Sequence, residues 1–374
     1  MTLPPLRVPP TTVERCGAGN RITAIVDGQP VWFESTDRPL SAVGEVMGSS
    51  LYVPGLLQDR QLVMADQVSP LWLQNVPKIA ARMAQWWQNP QYPPLATART
   101  GDLQPRAQGS LLCFSGGVDA FHSLLCNERK PRHLVTAYGY DIKLAEESRW
   151  RPLEDTVRRV SAEAGIPCTI IRTNVRDHPL LKGIWMKANG GGLASLGHLM
   201  RDHGDGILVS ASTVTEFDYP IGTHWDLDPW WSSEAMTIHH VGERISRWDK
   251  VQAIANEPLV QRNLRVCTHQ RRREKISNCS HCEKCVRTMV ALDQCGALSR
   301  FTVFKPVKSF IPLVDEIACA DDFARGMWKH IVAKGLPADL TAAVERMLLR
   351  EPVPRRHGWW GRMTKRARTL LRGR

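Results

Sequence analysis

An α/β fold, with a parallel sheet doubly wound by helices on both faces, is what residues 108–256 predict. Two observations carry it. Five short apolar runs have the character of buried strands: LLCF (111–114), HLVTAYGY (133–140), IPCTIIRTN (166–174), GILVSAS (206–212) and MTIHHV (236–241). Between them lie stretches of helical spacing at 118–128, 153–165, 192–204 and 246–256. The second of these, LEDTVRRVSAEAG, is amphipathic and closes on Gly165, as a helix C-terminus should.

The flanks read differently. RITAIVDGQPVWFES (21–35) alternates around Asp27-Gly28, a hairpin signal. SPLWLQNVPKIAARMAQWW (69–87) has an apolar helical face with Ser69 as its cap, and Pro77 must start or kink that helix. The stretch at 88–109 is rich in Pro and Gly and reads as a linker. Residues 1–107 are therefore expected as a small N-terminal α+β domain with its linker, 108–304 as the main domain, and 305–374 as a helical C-terminal region. No internal repeat is seen.

The chain has 374 residues, 43% hydrophobic and 23% charged, within the range of ordinary globular proteins. It has no signal-peptide-like start and no apolar run of membrane-spanning length, so a cytoplasmic location is expected. The net charge of +12 is uneven. The last twenty residues carry eight Lys/Arg and no acid, leaving +4 for the remainder. Such a tail suits nucleic acid or an anionic membrane surface, or is simply solvated, and the solvated reading is favoured.

The first chemical motif is SGGVDA (115–120), which follows the strand LLCF and opens a helix. Ligands of open parallel sheets sit at the carboxyl ends of strands, beside helix N-termini. Gly116 and Gly117 let consecutive backbone N–H groups, Val118 included, converge on one anion, and Ser115 adds a hydroxyl. Asp119 suits Mg²⁺ ligation or the orientation of N–H groups. The pattern is neither G-x-x-x-x-G-K-[ST] nor G-x-G-x-x-G.

The second motif is Cys267-x11-Cys279-x2-Cys282-x2-Cys285. Four thiolates at this spacing predict a closed, structural Zn²⁺ knot over 267–285, with iron–sulfur as the alternative for the same ligands. His269 and His281 lie nearby, but four cysteines already complete a tetrahedral sphere.

SGGVDA resembles the S-G-G-x-D-S pyrophosphate loop of the PP-loop (N-type) ATP pyrophosphatases. Within that superfamily, an upstream Cys followed by C-x2-C-x2-C before an Arg-bearing helix is similar to the zinc element of the 7-cyano-7-deazaguanine synthases. The resemblance spans roughly residues 108–298. It implies an adenine nucleotide alpha hydrolase-like fold, with ATP and Mg²⁺ as cofactors beside the zinc. It also implies a chemistry in which a substrate oxygen is joined to AMP, pyrophosphate leaves, and a nitrogen or sulfur nucleophile displaces AMP. Pyrophosphate contacts then fall to Ser115, Gly116, Gly117, Val118 and Asp119. Lys250, in ISRWDKVQAI, takes the place of the lysine that neutralises the leaving group, with Arg244 and Arg247 as weaker choices. Asp141, in YGYD, lies where the superfamily grips adenosine.

Four departures stand beside the resemblance. Ala120 replaces the usual final Ser or Thr of the loop, Gln252 replaces an acid after Lys250, and Arg287 lies one residue closer to the cysteines than usual. The substrate loop, residues 210–234, echoes the synthases only at Tyr219-Pro220, so a different substrate is expected. In that loop Glu216, Asp218, His224, Asp226 and Asp228 are candidates for Mg²⁺ or substrate, and Trp230 and Trp231 for stacking or packing.

The leading expectation is an ATP-dependent, AMP-forming enzyme that amidates a small molecule, with Asp119 and Lys250 as catalytic residues. No glutamine-hydrolysing domain is evident, so ammonia or sulfur would come free or from a donating partner; a homodimer is compatible with this reading. The rivals are an RNA-modifying enzyme of the same chemistry, which the basic tail and QRRREK favour, and a non-catalytic nucleotide binder, at which Ala120 hints.

Overall fold

The computed structural model describes residues 3–87, 96–101, 107–215, 219–267, 278–318 and 322–350. The basic tail, QRRREK, His269, Glu216 and Asp218 lie outside them. Two compact units form, one of residues 1–254 with 263–265, the other of 255–262 with 266–374.

The first unit begins with β1 (Leu6–Val8), β2 (Thr12–Cys16), β3 (Gly19–Val26) and β4 (Gln29–Ser35). Asp27 and Gly28 join β3 to β4 with φ of 47° and 77°, the two positive values a tight hairpin turn needs. There follow α1 (Gly44–Leu57), β5 (Leu62–Met64), α2 (Pro70–Trp87) and β6 (Ala96–Thr97). Ser69 caps α2, its Oγ accepting from Trp72 N at 3.0 Å, and the helix runs on through Pro77.

The five expected strands are all present: β7 (Ser110–Cys113), β8 (Pro131–Tyr138), β9 (Cys168–Thr173), β10 (Gly206–Ser210) and β11 (Thr237–Val241). The helices among them are α3 (Val118–Cys126), α4 (Glu147–Ala164), α5 (Trp185–Leu199) and α6 (Arg247–Ile254). Strand order is β11-β10-β7-β8-β9-β4-β3-β2. The first five strands are mutually parallel. The last three are not: β4 pairs antiparallel with β9, Phe33 opposite Thr173, and β3 and β2 continue antiparallel.

Two expectations are corrected here. The sheet is mixed, not purely parallel, because an N-terminal hairpin extends it beyond β9. Residues 1–107 accordingly do not close off as a domain of their own. The β4–β9 ladder bonds their hairpin to the main sheet, and their small second sheet, β1-β5-β6, belongs to the same compact unit. The boundary at 107/108 rests on composition, which does not register a backbone ladder between residues about 140 apart.

One sheet face carries Leu111, Val135, Ile171, Ile207, Val209 and Ile238, all buried in one apolar cluster with α1 and α5. α1 gave no amphipathic signal because it is buried all round, from Gly44 to Leu56. α5 begins seven residues before its expected start at 192. Its Gly190-Gly191-Gly192 run reads as a breaker, but a Cβ at Gly191 would stand 2.1 Å from the Ser49 carbonyl oxygen, so the glycine is what lets α5 approach α1. α3, α4 and α6 pack apart from that cluster, α3 against β7, β10 and α6, and α4 against β8 and β9.

The second unit holds α7 (Pro258–Asn263, its last residue grouping with the first unit), α8 (Glu283–Gln294), α9 (Ile311–Asp315), α10 (Asp322–Ala333) and α11 (Ala338–Leu349). Among the described residues it is helical, and α9, α10 and α11 lie within the 305–374 region expected to be so. No helix among the described residues is long and apolar enough to cross a membrane.

Candidate functional site

The chain lays down β7, β8 and β9 in one direction, then returns to place β10 and β11 on the other side of β7. The order reverses at β7, and in open α/β sheets ligands bind at such a point, here the carboxyl ends of β7 and β10. Ser115-Gly116-Gly117 leaves β7 at that point. Gly116 has φ 71°, a conformation other residues rarely adopt. Its carbonyl accepts from Arg265 N at 2.7 Å, which fixes the turn. Gly117 is the N-cap of α3 and offers no side chain to cap it. The backbone N–H groups from Ser115 to Ala120 have no acceptor among the described residues. They form a run of donors at a helix N-terminus, a ready anion cradle.

Asp119 lies in the first turn of α3 and does not stand alone. Arg247 Nη2 donates to its Oδ2, Arg247 Nε to its Oδ1 at 3.4 Å, and Lys250 Nζ lies 3.5 Å from Oδ1. α6 holds both cations. Ser246 caps it, its Oγ accepting from Asp249 N at 3.1 Å and donating to the Asp249 carboxylate at 2.6 Å. That cap sets the start of α6, and a spacing of three puts Arg247 and Lys250 on one face.

Lys250 is almost wholly buried, its side chain 2% exposed, and Nζ donates to the Ala211 carbonyl just past β10 at 2.7 Å. Gly242, with φ 81°, lies against the lysine; a Cβ there would sit 3.3 Å from Nζ. Burial alone would raise the Asp119 carboxyl, but the bonded charges of Arg247 and Lys250 outweigh it and hold the group below its ordinary value. Burial pulls Lys250 down, against Asp119. His122, one turn along α3, is lowered by burial and by the charge of Lys250. At hydrogen-bonding range one carboxylate is thus shared by two cations beside the donor run, and Glu243 adds a more distant negative charge that also favours the charged lysine.

The other expected residues separate from this cluster. Asp141 lies exposed in the turn after β8, at the same edge of the sheet, with no partner for its carboxylate among the described residues. The loop after β10 is mostly committed to packing. Asp228 is 1% exposed and accepts from Thr223 Oγ1 at 2.8 Å and His224 N at 3.2 Å, with His240 Nδ1 at 2.8 Å. Asp226 pairs with Arg82 at 2.7 Å. Trp231 is fully buried edge-on to Tyr52, and Lys78 lies 4.1 Å over the Trp230 ring, so packing claims both tryptophans. Ala120 is also buried. Gly242 and Arg265 escaped the sequence reading because nothing local marks them. The three-residue spacing of Arg247 and Lys250 is legible in the sequence, but the carboxylate that Arg247 meets is not.

The second cluster lies in the second unit. The Sγ atoms of Cys267, Cys279, Cys282 and Cys285 all fall within 4.8 Å of one another. Cys267 to Cys282 is 3.9 Å and Cys279 to Cys285 is 3.7 Å. Sulfurs bound tetrahedrally at about 2.3 Å from one zinc stand about 3.8 Å apart, so the four residues fit that ion. Asn278, fully buried, accepts from Val266 N and Cys267 N at 2.9 and 3.1 Å and ties the upstream cysteine to the knuckle. Cys282 N donates to Cys279 Sγ at 3.2 Å, and Cys282 is the N-cap of α8. His281 turns its Nδ1 to the Cys279 carbonyl, 2.9 Å away. The cluster can hold a metal ion such as zinc, with all four positions filled by protein.

No family model, curated protein or solved structure matches the chain.

Proposed function

We propose that the chain is an ATP-dependent, AMP-forming enzyme of the PP-loop class, with an adenine nucleotide alpha hydrolase-like sheet, acting on a small molecule. The observation that carries the reading is the run of backbone donors at 115–120, set at the point of strand reversal beside the paired cations Arg247 and Lys250. A polyphosphate supplies the anion that such a site lacks.

In this reading the N–H groups of Gly116, Gly117 and Val118 and the Ser115 hydroxyl hold the pyrophosphate portion of ATP. Asp119 orients the cations and can take Mg²⁺. Lys250 contributes positive potential to the leaving pyrophosphate, and Asp141 lies at the edge where adenosine would sit. A carboxylate or carbonyl oxygen of the substrate attacks the α-phosphorus and pyrophosphate leaves. A nitrogen nucleophile then attacks the activated carbon and AMP leaves with the oxygen. The protein acts by positioning and charge stabilisation. The four cysteines, saturated by one zinc ion, would serve structure alone.

The test is incubation of zinc-loaded protein with ATP, Mg²⁺ and ammonium, plus either a small-molecule cell extract or total tRNA. AMP and pyrophosphate are quantified against Asp119→Ala, its folding verified by circular dichroism. AMP dependent on the small-molecule pool is expected. AMP with tRNA alone would move the protein to RNA modification, and ATP binding without AMP would make it a nucleotide-binding protein.

A further inference from the structure

The geometry points to Arg247 as the side chain that grips the anion at the 115–120 loop, with Lys250 securing the Asp119 carboxylate on which Arg247 docks. This rests on the nucleotide reading above and reverses the sequence-based ranking of the two cations.

Both are tied to Asp119, but they differ in what they have left to give. The Lys250 ammonium is buried and engaged by the Ala211 carbonyl and by Asp119, and Gly242 backbone lies against it. Arg247 is 18% exposed and uses Nε and Nη2 on Asp119. Its Nη1 has no partner among the described residues. A guanidinium is planar, so docking one edge on a carboxylate fixes where the remaining donors lie. Asp119 is the second residue of α3, and the unaccepted N–H groups of Val118, Asp119 and Ala120 lie in the same helical turn. Arg247 is thus docked on the side chain of the helical turn whose backbone carries these donors, with Nη1 left over.

The same arrangement accounts for Ala120. A loop that ends in Ser or Thr offers a hydroxyl to the phosphates, and this one offers a buried methyl. A charged donor fixed on Asp119 supplies what the hydroxyl would, and an ionised donor on a phosphate binds it more strongly than a neutral hydroxyl does. The ligand class is a polyphosphate anion, either the pyrophosphate end of ATP or free pyrophosphate.

The experiment titrates the full-length protein with inorganic pyrophosphate and, separately, with Mg²⁺-ATP, by isothermal titration calorimetry at several salt concentrations. Arg247→Met should weaken pyrophosphate about tenfold to hundredfold and lower the salt dependence of binding by one ionic contact. Arg247→Lys should recover part of the affinity, and Lys250→Met should lose less than Arg247→Met. Thermal melts identify any variant that fails to fold, and Arg247→Lys then carries the test, because it keeps the charge on Asp119 but loses the fork. Wild-type binding with an Arg247 variant, folded, within twofold of wild type for both ligands overturns the assignment and leaves the nucleotide reading intact. Absence of wild-type binding to either ligand overturns both. A loss confined to Mg²⁺-ATP, with pyrophosphate unchanged, also overturns it, because the contact would then not be to the pyrophosphate portion.

Discussion

Asp119 is the residue on which the candidate site balances. It neutralises one of two cations that burial disfavours, so its removal leaves like charges facing each other in a poorly solvated place. Asp119→Asn should cost about 3 kcal/mol or more in urea unfolding, and millimolar pyrophosphate should restore part of the midpoint. An unchanged midpoint would mean the cations are better solvated than their burial implies. Asp119 is held below its ordinary value of 3.8, so its contribution is present above that pH and is lost as pH falls through the folded value. Gly242 offers a second test. Its φ of 81° and its contact with the Lys250 side chain both oppose a Cβ. Gly242→Ala should cost about 1–2 kcal/mol from backbone conformation alone, read from the same denaturation curves, and should loosen the lysine it supports. Residue identity and spacing made Ser115, Gly116, Gly117 and Asp119 legible as a phosphate loop. They did not reveal that Asp119 is shared, because its partners lie more than 120 residues away on another helix.

At the scale of elements, helix ends organise both clusters. The Ser246 cap sets the register of α6 and hence the position of both cations; Ser246→Ala should cost about 1 kcal/mol and weaken pyrophosphate binding without touching it. At α8 the N-cap is Cys282, and Cys285 follows in the first turn, so helix and cysteine knuckle are one structure. Elemental analysis should find one zinc per chain, and Cys285→Ala should abolish it. Chelation should lower the melting temperature through the second unit, because a closed four-thiolate site contributes its binding free energy to folding. A metal-free chain with an undiminished melting temperature would refute a structural metal. The C-x2-C-x2-C spacing announced this cluster in advance, since ligand spacing is a local property. α1 and the first half of α5 escaped notice for the opposite reason. Helices buried on every side lose the amphipathic period, and the glycines that let them touch read as breakers.

At the scale of the whole molecule, two histidines tie stability to pH. His198 donates from Nε2 to the Trp231 carbonyl at 3.0 Å, and burial pushes it down to about 4. His133 lies 2.8 Å from Thr169 Oγ1 and is likewise pushed down to about 4, first by burial and then by the charges of Arg38 and His203. Their unfolded value is 6.5. Between 6.5 and about 4 the unfolded chain binds protons that the folded one refuses, so stability is full above 6.5 and falls as pH drops. Each contributes up to about 3 kcal/mol to that loss. The urea midpoint should decline through this window, and a flat profile would show that neither imidazole is held neutral.

Local sequence is enough for the five parallel strands, the turn that leaves the first of them, the donor-rich loop and the four-cysteine knuckle. Each of these is written in residues close together along the chain, as a run, a spacing or a cap. Folding alone settles that an N-terminal hairpin joins the main sheet through β4 and β9, that Trp231 packs and Asp228 is buried in hydrogen bonds, and that Arg247 and Lys250 divide one carboxylate between them. Those outcomes depend on which surfaces meet after folding. A backbone edge, a buried indole and an ion pair each take a partner from distant sequence, and no local pattern records that choice.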